Sequence, residues 1–194
     1  VGGREGETWR LGEGAINEKQ THMQNDILFT EKQRFTQWWI WLILLGINGL
    51  FLYGIYYQII GGEPFGDKPM SDTGLLLTFG FTLLITLLFA SLRLDTLIKK
   101  DGIYVRFFPF SFNYGFYSWD TIAKAYVHQY SPIAEFGGWG LRYSLTGKGR
   151  ALNVSGNMGL QLEFKDGKKL LIGTQKPKEI ERLLAKLGRT GESR

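Results

Sequence analysis

The chain has 194 residues, 23 Lys/Arg against 18 Asp/Glu for a formal charge of +5, two histidines and no cysteine. Without cysteine there is no disulfide framework and no thiolate metal site. The charge is unevenly spread: residues 93–194 carry 17 basic against 9 acidic groups, while residues 61–73 carry one Lys against three acids.

Residues 1–30 are rich in Gly, Glu, Gln and Asn and show neither helical nor strand periodicity, and the segment ahead of the hairpin runs to residue 34. They are expected to be a disordered or irregular N-terminal segment. Met23 reads as a natural start, which leaves open whether residues 1–22 belong to the native protein.

Residues 35–94 read as a transmembrane hairpin. Two uncharged apolar stretches, residues 38–60 and 74–92, lie thirteen residues apart. At ~1.5 Å per residue they reach roughly 34 Å and 28 Å, enough to cross a hydrocarbon core of about 30 Å. Trp38, Trp39 and Trp41 open the first stretch and Tyr53, Tyr56 and Tyr57 close it, as amphipathic rings do at the two water interfaces. Lys32, Arg34, Arg93, Lys99 and Lys100 flank the pair from outside. Retention of positive charge then puts both termini on the cytoplasmic side. Thr78, Thr82, Thr86 and Ala90 recur every fourth residue in the second stretch, one small-residue stripe on a helix. An antiparallel hairpin brings Asn48 level with Thr82 or Thr86. A hydrogen bond is expected there, worth about 0.6 kcal/mol and at most about 2.

After residue 94 the pattern changes to period two, punctuated by turns. Residues 96–100 and 103–107 flank Asp101 and Gly102, a two-residue hairpin signal. Residues 122–130, 141–145, 150–154, 160–165 and 168–172 continue the series, the last two joined by Asp166 and Gly167. Ile180, Leu183, Leu184 and Leu187 then recur at helical spacing, behind Pro177 and ahead of Gly188. The expectation is an α+β protein: a two-helix membrane hairpin, then residues 95–188 as an antiparallel β domain of about six or seven strands. A C-terminal amphipathic helix over 177–187 closes it, with a tail at 189–194.

The segments Gly138-Trp139-Gly140-Leu141-Arg142-Tyr143, Asn153-Val154-Ser155-Gly156, Gly159-Leu160-Gln161-Leu162-Glu163-Phe164, Asp166-Gly167-Lys168 and Leu171-Ile172-Gly173-Thr174 follow one another ahead of the final helix. In order and spacing this resembles the second half of a bacterial pleckstrin-homology-like (PH-like) membrane protein. The resemblance covers roughly residues 94–187, and a hairpin is a common companion of that domain. It implies a bacterial cytoplasmic-membrane location and binding of lipid headgroups or protein segments rather than catalysis. Lys99, Lys100 and Arg106 around the first hairpin turn only faintly match the phosphoinositide pattern of eukaryotic relatives.

The candidate chemistry is sparse. His128, alone in the β domain, has no Cys and no second His near it for a metal. Ser118, Asp120 and His128 could be written as a triad, but nothing resembles a nucleophile elbow. Gly147-Lys148-Gly149-Arg150 lacks the Ser/Thr, the upstream glycine and the following helix of a phosphate loop. It reads as a strand turn whose Lys148 and Arg150 could still cradle an anion. Lys168, Lys169, Lys176, Lys178 and Arg182 crowd the last turn and helix. They read either as retained topology charge or as contacts to an anionic leaflet. Phe108, Phe110 and Phe112, with Trp139, read as core or as an interface patch for membrane or partner. No cofactor, metal or nucleic acid is expected. The partners expected are the bilayer and either a protein or anionic lipid headgroups.

Overall fold

The computed structural model describes residues 26–144 and 147–189. The expectations for residues 1–25 and for the end of the tail lie outside these. Nine strands form two sheets: β1 (Ile27–Arg34), β2 (Arg93–Lys99), β3 (Gly102–Phe108) and β4 (Gly115–Ser118) make an antiparallel meander. The second sheet has the order β5–β8–β9–β7–β6, with β5 Ile122–Gln129, β6 Gly140–Tyr143, β7 Arg150–Asn153, β8 Met158–Phe164 and β9 Lys169–Gly173. Helices α1 (Trp38–Ile55) and α2 (Asp72–Ser91) stand between β1 and β2; α3 (Pro132–Phe136) is one turn, and α4 (Pro177–Lys186) comes last. A π-helical turn, Tyr56–Ile60, extends α1.

The two sheets face each other across one core. Leu94, Ile98 and Ile103 enter it from the first sheet, and Leu160, Leu162 and Ile172 from the second. α4 lays Ile180 and Leu184 onto the same core, with Leu183 and Leu187 at its margin. The outer face of the second sheet is covered as well: Ala151 and Leu171 pack with Tyr130 and with Phe136 of α3. That is why Leu170, Leu171 and Ile172 are apolar in succession instead of alternating.

Three expectations are corrected. The strands number nine among the described residues, and one pair is parallel, Arg150–Leu152 of β7 alongside Leu170–Ile172 of β9. Residues 27–34 are not irregular: they form β1, antiparallel to β2 from Ile27 opposite Lys99 to Arg34 opposite Arg93. The β domain therefore does not begin after the hairpin. It is split by it, and residues 35–92 are an insertion between two adjacent strands.

The insertion is held tightly at its base. Phe35 is buried and meets Phe89 of α2 edge-on at 5.6 Å. Gln37 Nε2 donates to the Val154 carbonyl at 2.6 Å, and Trp41 Nε1 donates to the Phe35 carbonyl at 3.1 Å. On the inner side of β1, Gln33 Nε2 donates to the Gly173 carbonyl at 2.6 Å. The Glu31 carboxylate accepts from Thr174 Oγ1 at 2.7 Å and from the Gln175 amide at 2.8 Å. Only residues 35–37 and Leu92 separate strands from helices, which leaves little slack between hairpin and domain.

Between the helices, Asn48 Nδ2 donates to Thr86 Oγ1 at 2.8 Å and to the Leu44 carbonyl at 2.7 Å, and Thr82 Oγ1 donates to Asn48 Oδ1 at 3.3 Å. One amide thus crosses the interface and satisfies both of its polar atoms.

Candidate functional site

β2 runs away from the helices from Arg93 to Lys99. At ~3.4 Å per residue its far end lies about 20 Å from its start. The hairpin end of the second sheet is marked by Val154, which receives Gln37. β7 and β9, parallel to each other, therefore start at the far end, with Arg150 and Lys169. At that far end a cleft of ≈500 Å³ opens between Tyr117 of β4, Tyr143 of β6, Arg150 of β7, Phe164 of β8 and the Lys168–Lys169 step into β9.

Each wall has a local cause. Gly149 precedes β7 at φ +86°, and a Cβ there would strike the Lys169 carbonyl, so only glycine lets β7 and β9 approach. Gly167, at φ +84°, turns β8 into β9. In that turn Asp166 accepts from the Lys168 amide at 3.0 Å and from Lys168 Nζ at 2.7 Å. The two contacts hold its carboxyl below the usual range.

The cations of the cleft are not equivalent. Lys168 is engaged by Asp166, and Lys169 Nζ lies 3.2 Å from Glu163. Burial raises the Glu163 carboxyl, but Lys169 and the Tyr126 hydroxyl outweigh it and the net shift is downward. Arg150 forms no ion pair among the described residues; its guanidinium sits 5.8 Å from the Tyr143 ring, and its buried Nε has no hydrogen-bond partner. A cation backed by aromatic walls and lacking a counter-ion is suited to an anionic group that carries apolar surface.

The remaining basic residues singled out in the sequence do not join this cluster. Lys148 Nζ is bonded to Glu135 Oε2 of α3 at 2.9 Å. Lys176 Nζ lies over the Phe29 ring at 5.7 Å and 3.6 Å from Glu179. Lys178 and Arg182 are exposed along α4. Lys148, Arg150, Lys168, Lys169, Lys176, Lys178 and Arg182 are thus not one patch.

Phe108 ends β3, and Phe110 and Phe112 stand exposed in the loop beyond it, at the hairpin end. Trp139 is separate from them: it packs against the core, and its Nε1 donates to the Gly156 carbonyl at 3.0 Å. His128 sits between the Tyr126 and Tyr130 rings with Nδ1 buried and unpartnered. Burial lowers its pKa, Glu135 raising it and Lys148 lowering it to smaller extents. It lies opposite Gly159, at the end of β5 remote from Ser118 and Asp120, so no triad forms. Among the described residues no cluster of three or more His, Asp or Glu could hold a metal ion.

The aromatic walls Tyr117 and Tyr143 were not legible as site residues, because they come from opposite sheets and only the sandwich brings them together. No curated protein and no solved structure matches the chain. A family model described as "Family of unknown function (DUF6141)" matches residues 21–187, across β1, the hairpin and both sheets, and the chain belongs to that family.

Proposed function

We propose that the protein is a membrane-anchored, non-enzymatic binding module that holds an anion-receptive cleft at a fixed height above the cytoplasmic face of a bacterial inner membrane. The observation that carries this reading is the insertion of the hairpin between β1 and β2. Both helices are long and apolar enough to cross a membrane, and few of their residues are buried, with Leu42, Leu77 and Phe81 more than half exposed. Large uncovered apolar surface of this kind calls for lipid. Because β1 pairs with β2, the two ends of the insertion must emerge on one side of the bilayer, which a two-pass hairpin satisfies. Lys32, Arg34 and Arg93 at that side favour the cytoplasm. Two facing sheets closed by a C-terminal helix support a PH-like architecture, with its first strand donated from ahead of the hairpin.

The same mounting weighs against leaflet docking through the cleft. A height of about 20 Å is about two and a half Debye lengths at physiological salt, so Arg150, Lys168 and Lys169 would act on a ligand in the cytosol. An acidic segment of a protein partner fits best, the partner being a component of a membrane assembly in which this chain is scaffold or accessory subunit. The test is titration of the full chain, in nanodiscs of neutral lipid, with a fluorescent ten-residue Glu/Tyr peptide, and separately with inorganic phosphate. The expected result is peptide binding that weakens about tenfold in Arg150→Gln, the scale of one hydrogen-bonded charge. Binding of phosphate alone would point to a small anion instead of a segment. Unchanged affinity in Arg150→Gln, or binding that needs anionic lipid, would contradict the reading.

A further inference from the structure

We infer that the loop after β3 is a third membrane contact, with the Phe110 and Phe112 side chains seated in the interfacial region of the leaflet that the hairpin enters. This rests on the reading that α1 and α2 span the bilayer. Arg34, Arg93 and Phe108 lie in register across β1, β2 and β3. They form the last row of the first sheet before the helices: α2 ends at Ser91, two residues before Arg93, and α1 starts at Trp38, four after Arg34. β3 runs toward this row, so the residues that follow Phe108 project past it, to the level at which the helices enter the bilayer.

What projects there is apolar. Phe110 is 64% exposed and Phe112 73%, the latter equal to Trp38 at the start of α1. The loop is nonetheless built. Phe110 stacks on Phe107 at 5.9 Å, and Phe112 meets Phe108 edge-on at 5.5 Å. The Ser111 amide donates to the Phe107 carbonyl at 2.9 Å, and Ser111 Oγ donates to the Asn113 carbonyl at 2.7 Å. Behind it Arg93 and Arg106 converge on the buried Asp95, at 3.0 and 2.6 Å, and pin the strands that carry the row. Arg34, exposed beside Arg93, supplies a cation at headgroup level. Aromatic rings with adjacent arginine, continuous with a membrane-entering helix pair, suit the boundary between headgroups and acyl chains. With little slack between hairpin and domain, a third point of contact sets the tilt of the two together against the bilayer.

The absence of cysteine makes the test direct. Full chains carrying single Phe110→Cys, Phe112→Cys or Asn113→Cys substitutions would be spin-labelled in zwitterionic nanodiscs. Accessibility to oxygen and to a water-soluble nickel chelate would then be read by power saturation. Leu84→Cys in α2 and Lys168→Cys at the far end serve as lipid and water references; Asn113→Cys keeps both rings should either Phe variant unfold. The inference expects nickel accessibility at the loop several-fold below that at 168, with oxygen accessibility retained. Loop labels as open to nickel as 168, with 84 shielded, overturn it while sparing the hairpin. Loop labels closed to both reagents overturn it in favour of a protein partner. A label at 84 open to nickel overturns it together with the spanning reading.

Discussion

Replacing Glu31 by Ala asks whether the strand ahead of the hairpin holds the β domain together. Glu31 is 5% exposed, and its carboxylate serves Thr174 Oγ1 and the Gln175 amide. Alanine leaves the buried Thr174 hydroxyl without its acceptor, at about 1–3 kcal/mol, and also frees the amide of Gln175, an exposed residue that water can partly serve. The expected loss is about 1–4 kcal/mol. That is a large share of the ~5–15 kcal/mol that holds an ordinary domain folded. Glu31→Gln keeps an acceptor oxygen and should lose less than alanine does. Lys32→Ala, one residue along on the exposed side, should stay within about 0.5 kcal/mol. The assay is urea denaturation of the full chain in nonionic detergent, followed by near-UV circular dichroism, which reports the packed aromatics of the domain while helices persist in the micelle. If Glu31→Ala and Lys32→Ala unfold at the same urea concentration, β1 does not lock the sandwich and the inserted-hairpin account is wrong.

Asn48→Leu removes the amide that bridges the helices through Thr86 and Thr82; hairpin stability measured by steric trapping should fall by about 0.6–1.7 kcal/mol, and no change would mean that packing alone holds the pair. Because burial lowers the His128 pKa, the unfolded chain takes up the proton first, so stability should decline as pH falls from the ordinary value of 6.5 toward the folded one. Urea midpoints between about pH 7.5 and 5.5 should show this slope in the parent and lose it in His128→Gln. Glu135 and Glu163, both lowered, lose their contribution only as pH falls below their ordinary 4.5, outside that window. Gly149→Ala places a methyl against the Lys169 carbonyl at a positive φ; it should lower the thermal midpoint and weaken peptide binding together, where Gly147→Ala, with open space around it, should spare packing more.

The two long apolar helices were plain in the sequence because uninterrupted, uncharged apolar runs of about twenty residues read as helices long enough to cross a membrane. The turn at Asp166–Gly167 was plain because few residues take the positive φ of Gly167; Gly102 marks the turn after β2 for another reason, since its φ is not positive and the Tyr117 carbonyl leaves no room for a Cβ. β1 was not legible, for two reasons. Its inward positions are Phe29, Glu31 and Gln33, so the apolar alternation that marks a strand stops after one residue; the Glu31 carboxylate and Gln33 Nε2 find their hydrogen bonds at Thr174, Gln175 and Gly173, from the far end of the chain. Its partner β2 also lies beyond the insertion, where no turn motif can announce the pairing. The cleft was half legible. Arg150, Lys168 and Lys169 stood out by charge, but their separation from Lys176, Lys178 and Arg182 depends on the parallel pairing of β7 with β9, which local sequence does not encode.

The mounting itself is open to one direct measurement. A donor dye on a single cysteine at position 168, in the full chain, would report its distance to acceptor dyes on the headgroups of nanodiscs, first neutral and then anionic. The account predicts a separation of about 20 Å along the strand axis, narrowly distributed and the same in both lipids. A probe that sinks to the headgroups when anionic lipid is present would contradict it, and would make the far-end cations a leaflet-docking surface instead of a cleft held out for a partner.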